Sequence, residues 1–192
     1  MNKRKGVIFY AVLAGLILSL SGCGVKVSTK SPEHVVKSIL EAYQKEDKEA
    51  VRKCFGLDPE KKSADEIETE ITYRMEQFKL YQATDIEYVE CKTLGEFNGY
   101  DLVYAIYELE HKKENEKKSE TIQIPGLSMY FVKEKDKEFY IVPAKDITED
   151  LSKISADEFA KFTKTEEYKT YEKSFDKFIR ENPEFEKIIY EQ

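Results

Sequence analysis

The sequence predicts an α+β fold in which N-terminal helices pack on a curved, antiparallel four-stranded sheet and a helical extension follows. Apolar residues recur at helical spacing between residues 31 and 78 and again after residue 155. The intervening stretch from residue 86 to residue 142 has the short period and the turn signals of strands. The 13 Tyr and 11 Phe residues supply apolar area for a core, although 36% of the residues are charged.

The first 23 residues have the organisation of a secretory signal. Three basic residues at positions 3–5 precede an uncharged apolar run of 15 residues, from Gly6 to Leu20. That run is shorter than the ~20 residues that a membrane-spanning helix needs. It ends in Leu20-Ser21-Gly22-Cys23.

This ending resembles the lipobox of bacterial lipoproteins. The resemblance implies that the chain is cut before Cys23 and that the Cys23 sulfur carries a diacylglyceryl group. Residues 1–22 are then a signal peptide and residues 23–30 a tether. The implied location is the extracytoplasmic face of the cell membrane, with the lipid as anchor. The alternative is an uncleaved membrane anchor in which the cysteine is incidental.

The mature chain of 170 residues is acidic. Cleavage removes three basic residues and no acidic one, which changes the formal net charge from -7 to -10. An acidic chain without a basic, aromatic-rich stripe repels phosphate backbones, so we expect no nucleic-acid partner. Acidic lipid head groups are not attracted either, so the membrane link must be covalent.

Three helices are predicted before the sheet. Ser31 and Pro32 mark the start of the first helix, and Asp47 caps a short second helix that ends near Gly56. The capping-box pattern from Ser63 to Glu66 predicts the start of the third. The apolar stripes comprise Val35, Val36, Ile39, Leu40 and Tyr43 in the first helix, and Ile67, Ile71, Met75 and Phe78 in the third.

Four strands follow. The second, from Tyr100 to His111, is apolar on both faces at its centre, which is typical of a middle strand covered on one side by helices. Asn98-Gly99 predicts the turn before it, and the charged stretch from Lys112 to Lys118 predicts a hairpin loop after it. Pro125-Gly126 predicts a bulge in the third strand. The remaining strands are predicted at residues 86–91, 121–132 and 139–142.

The helical extension comprises residues 144–192, after a candidate boundary at residues 144–154. A second capping-box pattern, from Ser155 to Glu158, predicts a helix start. A further helix carries an apolar stripe that must be covered. The stripe packs on the sheet or the first helices, or it binds a protein partner through Tyr168, Tyr171, Phe175 and Phe178.

The order of three helices and a four-stranded meander over residues 31–143 resembles the cone-like fold of the nuclear-transport-factor-two and ketosteroid-isomerase superfamily. The opening Ser31-Pro-Glu-His-Val-Val-Lys-Ser-Ile-Leu-Glu-Ala-Tyr43 is similar to helix one of uncharacterised lipoproteins in that group. A cystatin-like fold is the alternative. The resemblance implies a pocket between sheet and helices, which strand tyrosines either face or pack against, with their hydroxyls at the rim: Tyr104, Tyr107 and Tyr130.

No catalytic motif accompanies this fold. The chain has no nucleophile elbow, phosphate loop or dinucleotide fingerprint, so we expect no cofactor. Cys54 and Cys91 either form a disulfide or remain two buried free thiols, the interpretation that we favour. Neither has metal-ligand spacing with a histidine, so no metal site is expected.

The functional expectation is therefore a lipid-anchored protein with a non-catalytic binding or envelope-associated role and no assigned ligand. One alternative is an isomerase- or hydrolase-type enzyme built in the cone pocket. The other is an interaction module that uses the C-terminal stripe.

Overall fold

Six helices and four strands make up the described part of the chain in the computed structural model, which covers residues 24–58, 61, 63–115 and 118–190. Their bounds are α1 Pro32–Gln44, α2 Lys48–Cys54, α3 Asp65–Leu80, β1 Ala83–Phe97, β2 Tyr100–Asn115, β3 Lys118–Lys135, β4 Glu138–Ile141, α4 Glu149–Phe162, α5 Glu166–Glu181 and α6 Glu184–Tyr190. The predicted α+β class is confirmed. The predicted signal peptide and Cys23 lie outside the described residues.

The strands form one antiparallel sheet in the order β1-β2-β3-β4. Asn98 and Gly99 have φ values of 54° and 81°, the left-handed conformation that a tight two-residue hairpin turn requires, so this predicted turn is confirmed. The predicted hairpin between β2 and β3 is present, but the loop predicted over residues 112–118 is too long, because β2 continues to Asn115 and β3 begins at Lys118.

The third strand is regular where the sequence predicts a bulge. Pro125 pairs with Glu108 and Gly126 with Tyr107 in an unbroken register. The register shifts lie instead in β1, where Thr84, Val89 and Leu94 are extra residues opposite β2. Such bulges bend and twist the strand that contains them.

One face of the sheet packs on the N-terminal helices. Val103, Ala105, Tyr107 and Leu109 of β2 belong to the same buried cluster as the apolar stripe of α1. The stripes predicted for α1 and α3 are confirmed: Ile39 and Ile71 are fully buried, and the remaining residues are buried or packed against this cluster.

The opposite face of β2 is covered as well. Leu102 packs with Leu151 of α4, and Tyr104 and Ile106 pack with Phe162 at the end of α4. The fold therefore has three layers, with the sheet in the middle. The sequence predicts helices on one side of β2 and does not decide whether the C-terminal stripe packs on the sheet, packs on the first helices or binds a partner.

Residues 24–30, which we call the N-terminal strap, lie along the domain. Val25 and Val27 pack against the main core cluster. Three hydrogen bonds hold the backbone of the strap: Val25 N to Asp47 Oδ2 at 2.8 Å, Ser28 N to Ser38 Oγ at 2.9 Å, and Phe139 N to Thr29 O at 2.9 Å. The segment expected to be a tether is thus fixed from its second described residue onward.

Two polar residues explain this attachment. Asp47 caps α2, as predicted, because its Oδ1 accepts from Ala50 N at 3.0 Å, while its Oδ2 binds the strap. Ser38 is the only polar residue that is buried among the described residues, and its hydroxyl satisfies the strap amide of Ser28. Burial of an unpaired polar group would be unfavourable, so the strap is part of the core architecture.

The local sequence predicts the start of α1 correctly but not the start of α3. Ser31 accepts from His34 N, which confirms the predicted cap of α1. The capping box predicted at Ser63 is wrong, because its hydroxyl donates to Glu68 and accepts from Arg52. Helix α3 begins at Asp65 without a side-chain cap.

The capping box predicted at Ser155 is also wrong. Helix α4 begins six residues earlier, at Glu149, where Thr148 accepts from Leu151 N at 3.3 Å. The predicted boundary at 144–154 is therefore mostly a 3-10 turn and the first turns of α4. Leu151 is buried against the sheet, and this packing favours a helical conformation in residues 149–154.

We expect Thr148→Ala to lower the free energy of unfolding by about 1 kcal/mol, because it removes a side-chain cap. The matched variant Ser155→Ala should cost nothing and could gain up to ~0.5 kcal/mol, because Ala is the better former of a helix interior. Urea unfolding of both variants measures the difference. Equal destabilisation by the two changes would contradict the observed start of α4.

Candidate binding groove

The three tyrosines singled out by the sequence do not share one pocket. Tyr107 and Tyr130 lie on the face of the sheet that packs on α1–α3. Tyr104 lies on the opposite face, where its ring centroid is 4.4 Å from that of Phe162. Alternation along β2 separates Tyr104 from Tyr107, because residues an odd number apart face opposite sides of a strand.

The ring of Tyr107 lies across Gly126 of the neighbouring strand. A Cβ atom at Gly126 would be 2.3 Å from Cε2 of Tyr107, so only glycine leaves room for the ring. The hydroxyl of Tyr107 lies 3.1 Å from Ser128 Oγ, and its ring stacks on Phe78 with a centroid separation of 6.4 Å. The Pro125-Gly126 signal thus marks a close approach between strands.

Aromatic side chains occupy the space between the sheet and α1–α3. The Tyr43 ring lies 5.3 Å from the Phe78 ring, and both belong to the main cluster. Burial raises the pKa of Tyr130, which also packs there, to about 12. Among the described residues no carboxylate is buried. Aromatic packing thus occupies the layer in which the family resemblance implies a pocket.

A groove lies on the other face of the sheet, beneath α5. It has a volume of about 460 Å³. Its apolar lining comprises Val89, Ile106, Pro125 and Tyr171, and its carboxylates are Glu90, Glu108, Glu166 and Glu167. A second pocket of about 310 Å³ shares Glu108, Pro125 and Ser174 with it and continues toward the end of α5. We call the two together the α5 groove.

Half of these carboxylates have partners. Glu90 pairs with Lys92 and accepts from the Tyr104 hydroxyl at 2.6 Å, and Glu166 lies 2.8 Å from Lys169. Within the described part of the chain, Glu108 and Glu167 have no ion-pair partner. The groove therefore carries two carboxylates without an ion pair beside its apolar lining, and Lys92, the partner of Glu90, acts on Glu167 only at longer range.

The Tyr104–Glu90 pair is poorly suited to proton transfer. Hydrogen bonding from Lys92, and then from Tyr104, lowers the pKa of Glu90. Burial, together with the hydrogen bond to Glu90, raises the pKa of Tyr104 well above its usual value. A general acid or base works best with a pKa near the working pH, and both groups are shifted away from neutrality. At pH 7 Glu90 is therefore ionised, and the Tyr104 hydroxyl keeps its proton.

The C-terminal stripe is mostly used in packing. Phe178 is buried against Phe185, with ring centroids 5.3 Å apart, and Tyr168 packs on Phe162. Tyr171 and Phe178 also line the α5 groove. Phe175 lies beside Tyr171, with the ring centroids 5.9 Å apart. Recognition of a protein partner through the stripe stays a prediction.

Both cysteines outside the signal region carry free thiols. Cys54 is buried and Cys91 is half-buried. Burial raises the pKa of Cys54 to about 12 and that of Cys91 to about 11. In the described part of the chain, no group of three His, Cys, Asp or Glu residues is placed to hold a metal ion.

Comparison with known proteins gives no match, whether with family models, with curated proteins or with solved structures. Over the residues that the structure describes, none of the helices combines the length and apolar character needed to cross a membrane. The resemblances to lipoproteins and to the cone-like fold therefore stay predictions.

We expect Gly126→Ala to destabilise the fold by about 1–3 kcal/mol, because the new methyl group overlaps the Tyr107 ring. In a Tyr107→Leu background the same substitution should cost at least ~1 kcal/mol less. A double-mutant cycle by urea unfolding measures this coupling. Additive effects would show that the ring does not require the glycine.

We expect both thiols to resist alkylation in the folded protein. With a pKa of about 11, only about one Cys91 thiol in a thousand is ionised at pH 8, and the thiolate is the nucleophile. The rate should rise about tenfold per pH unit while the fold persists, and unfolding should remove the protection. Iodoacetamide labelling, mapped to Cys54 and Cys91 by mass spectrometry, gives the rates. Fast labelling of either residue at pH 8 in the folded state would contradict its burial.

Proposed function

We propose that this protein is a lipoprotein anchored through Cys23 on the extracytoplasmic face of the cell membrane, with a non-catalytic binding role. The observation that carries the proposal is Leu20-Ser21-Gly22-Cys23 directly after a basic start and 15 uncharged residues. A run of that length is too short for a comfortable membrane-spanning helix, and small residues before a thiol suit cleavage and acylation.

The N-terminal strap supports this anchoring. Val25, two residues after Cys23, donates its backbone N–H to Asp47 Oδ2 at 2.8 Å. The backbone is therefore held by the folded body from two residues after the cysteine that we propose as the lipid carrier. A lipid on Cys23 would then lie close to the α1–α2 junction, which contains Asp47.

The α5 groove supports the binding role. It combines an apolar lining with unpaired carboxylates, a composition typical of ligand sites in which polar groups fix orientation. The nearest tyrosine–carboxylate pair, Tyr104 and Glu90, has pKa values shifted in the directions that oppose acid–base catalysis at neutral pH. We therefore assign binding rather than turnover to this face of the sheet.

We expect cells that express the full chain to incorporate labelled fatty acid into the protein, and Cys23→Ser to abolish that label. Cys54→Ser is the matched control, because it removes a cysteine that lies in the folded part, and it should keep the label. The mass of the wild-type product should equal that of residues 23–192 plus lipid. A wild-type protein that is unlabelled and keeps its full mass of 22.5 kDa would overturn the proposal.

A further inference from the structure

We propose that the α5 groove binds an extended polypeptide segment in which apolar residues alternate with Lys or Arg. The inference rests on the binding role proposed above and names the class of partner. Three features of the described residues carry it: the length of the groove, an exposed apolar residue on a bulged edge strand, and two groove carboxylates, Glu108 and Glu167, that form no ion pair.

The groove is elongated. Its lining follows α5 from Glu166 to Glu181. At a rise of 1.5 Å per residue this is a length of about 22 Å. An extended chain advances about 3.3 Å per residue, so the groove accommodates six or seven residues of a peptide. A compact small molecule would fill only part of it.

Val89 gives the groove an accessible apolar contact. The register shift between Tyr88 and Glu90 makes Val89 an extra residue in β1, and the residue is 62% exposed. Strand β1 is also an edge of the sheet. An apolar side chain of a bound segment would cover Val89 and the adjoining surface of Ile106 and Pro125, removing apolar area from water.

The charges select a cationic segment. Glu108 and Glu167 have no ion-pair partner among the described residues, and Glu87 lies directly opposite Glu108 in the β1–β2 register. Like charges directly opposite each other destabilise a strand pair, and a bound cation would relieve that repulsion. Lys177 is the one basic residue of the described lining, and it lies 3.9 Å from Glu181.

Lys and Arg fit both parts of the lining. Their aliphatic stems can lie along Pro125 and Tyr171 while the charged ends reach Glu108 and Glu167. Alternation of basic and apolar residues along an extended segment directs the two kinds of side chain to opposite sides, one toward the rim and one toward the sheet. An amphipathic segment of this type matches the groove better than a uniformly basic one.

The test uses the full-length protein in detergent and a fluorescein-labelled nine-residue peptide of alternating Leu and Lys, followed by fluorescence anisotropy. We expect the double variant Glu108→Gln/Glu167→Gln to weaken binding about fivefold, because it removes two rim ion pairs. The matched control is Glu172→Gln/Asp176→Asn, which makes the same change in charge on the exposed face of α5. It should leave the affinity within about twofold of the wild type.

Two further probes test the apolar part. A peptide with Ser in place of Leu should bind more weakly to the wild type, and Val89→Ser should weaken the Leu-containing peptide. Absence of binding to the wild type, equal weakening by the two double variants, or equal binding of a peptide with Glu in place of Lys would overturn the inference. Fatty-acid labelling of Cys23 is measured on the same preparations, so a labelled protein that does not bind would overturn the ligand assignment alone.

Discussion

Strand β2 requires cover on both of its faces, and the arrangement of the other elements follows from that requirement. Its odd-numbered residues from Val103 to Leu109 join the core beneath α1–α3, and Leu102, Tyr104 and Ile106 join the clusters beneath α4 and α5. A sheet with one solvated face would show apolar and polar residues in alternation. That alternation is absent at the centre of β2, so its second face also needs cover. The C-terminal helices supply that cover and are therefore a structural layer of the fold.

Local signals predict the elements whose partners are near in sequence. The cap at Ser31, the cap at Asp47 and the turn at Asn98-Gly99 depend on residues within a few positions, and all three are confirmed. The capping boxes at Ser63 and Ser155 have the same sequence pattern but fail. In the first, Arg52 from the preceding helix binds the serine, and in the second, packing of α4 on the sheet extends the helix past it.

Sequence patterns do not predict the candidate site either, because its residues come together only through contacts between distant parts of the chain. Glu90, Glu108 and Glu167 are far apart in the chain and meet only because α5 lies over the sheet. The tyrosines that the sequence indicates as pocket residues include ones that pack, such as Tyr107 over Gly126. One signal was available: Glu108 interrupts the apolar run of β2 at a position on the groove face. A charged residue in a strand that is otherwise covered on both faces indicates where the covering helices end and the strand becomes accessible.

The fixed N-terminal strap has a consequence for the anchor proposed at Cys23, because it would limit how far the folded body moves from a lipid at that position. A flexible linker of 20 residues spans about 25 Å on average and lets a domain sample a shell of that radius. Here the backbone is already fixed at Val25, two residues after Cys23. An acyl group on Cys23 would therefore allow the folded body almost no movement away from the membrane. The same side of the protein would face the head groups at all times. Any interaction would then take place in the thin layer immediately above the bilayer, and distant layers of the envelope would lie out of range.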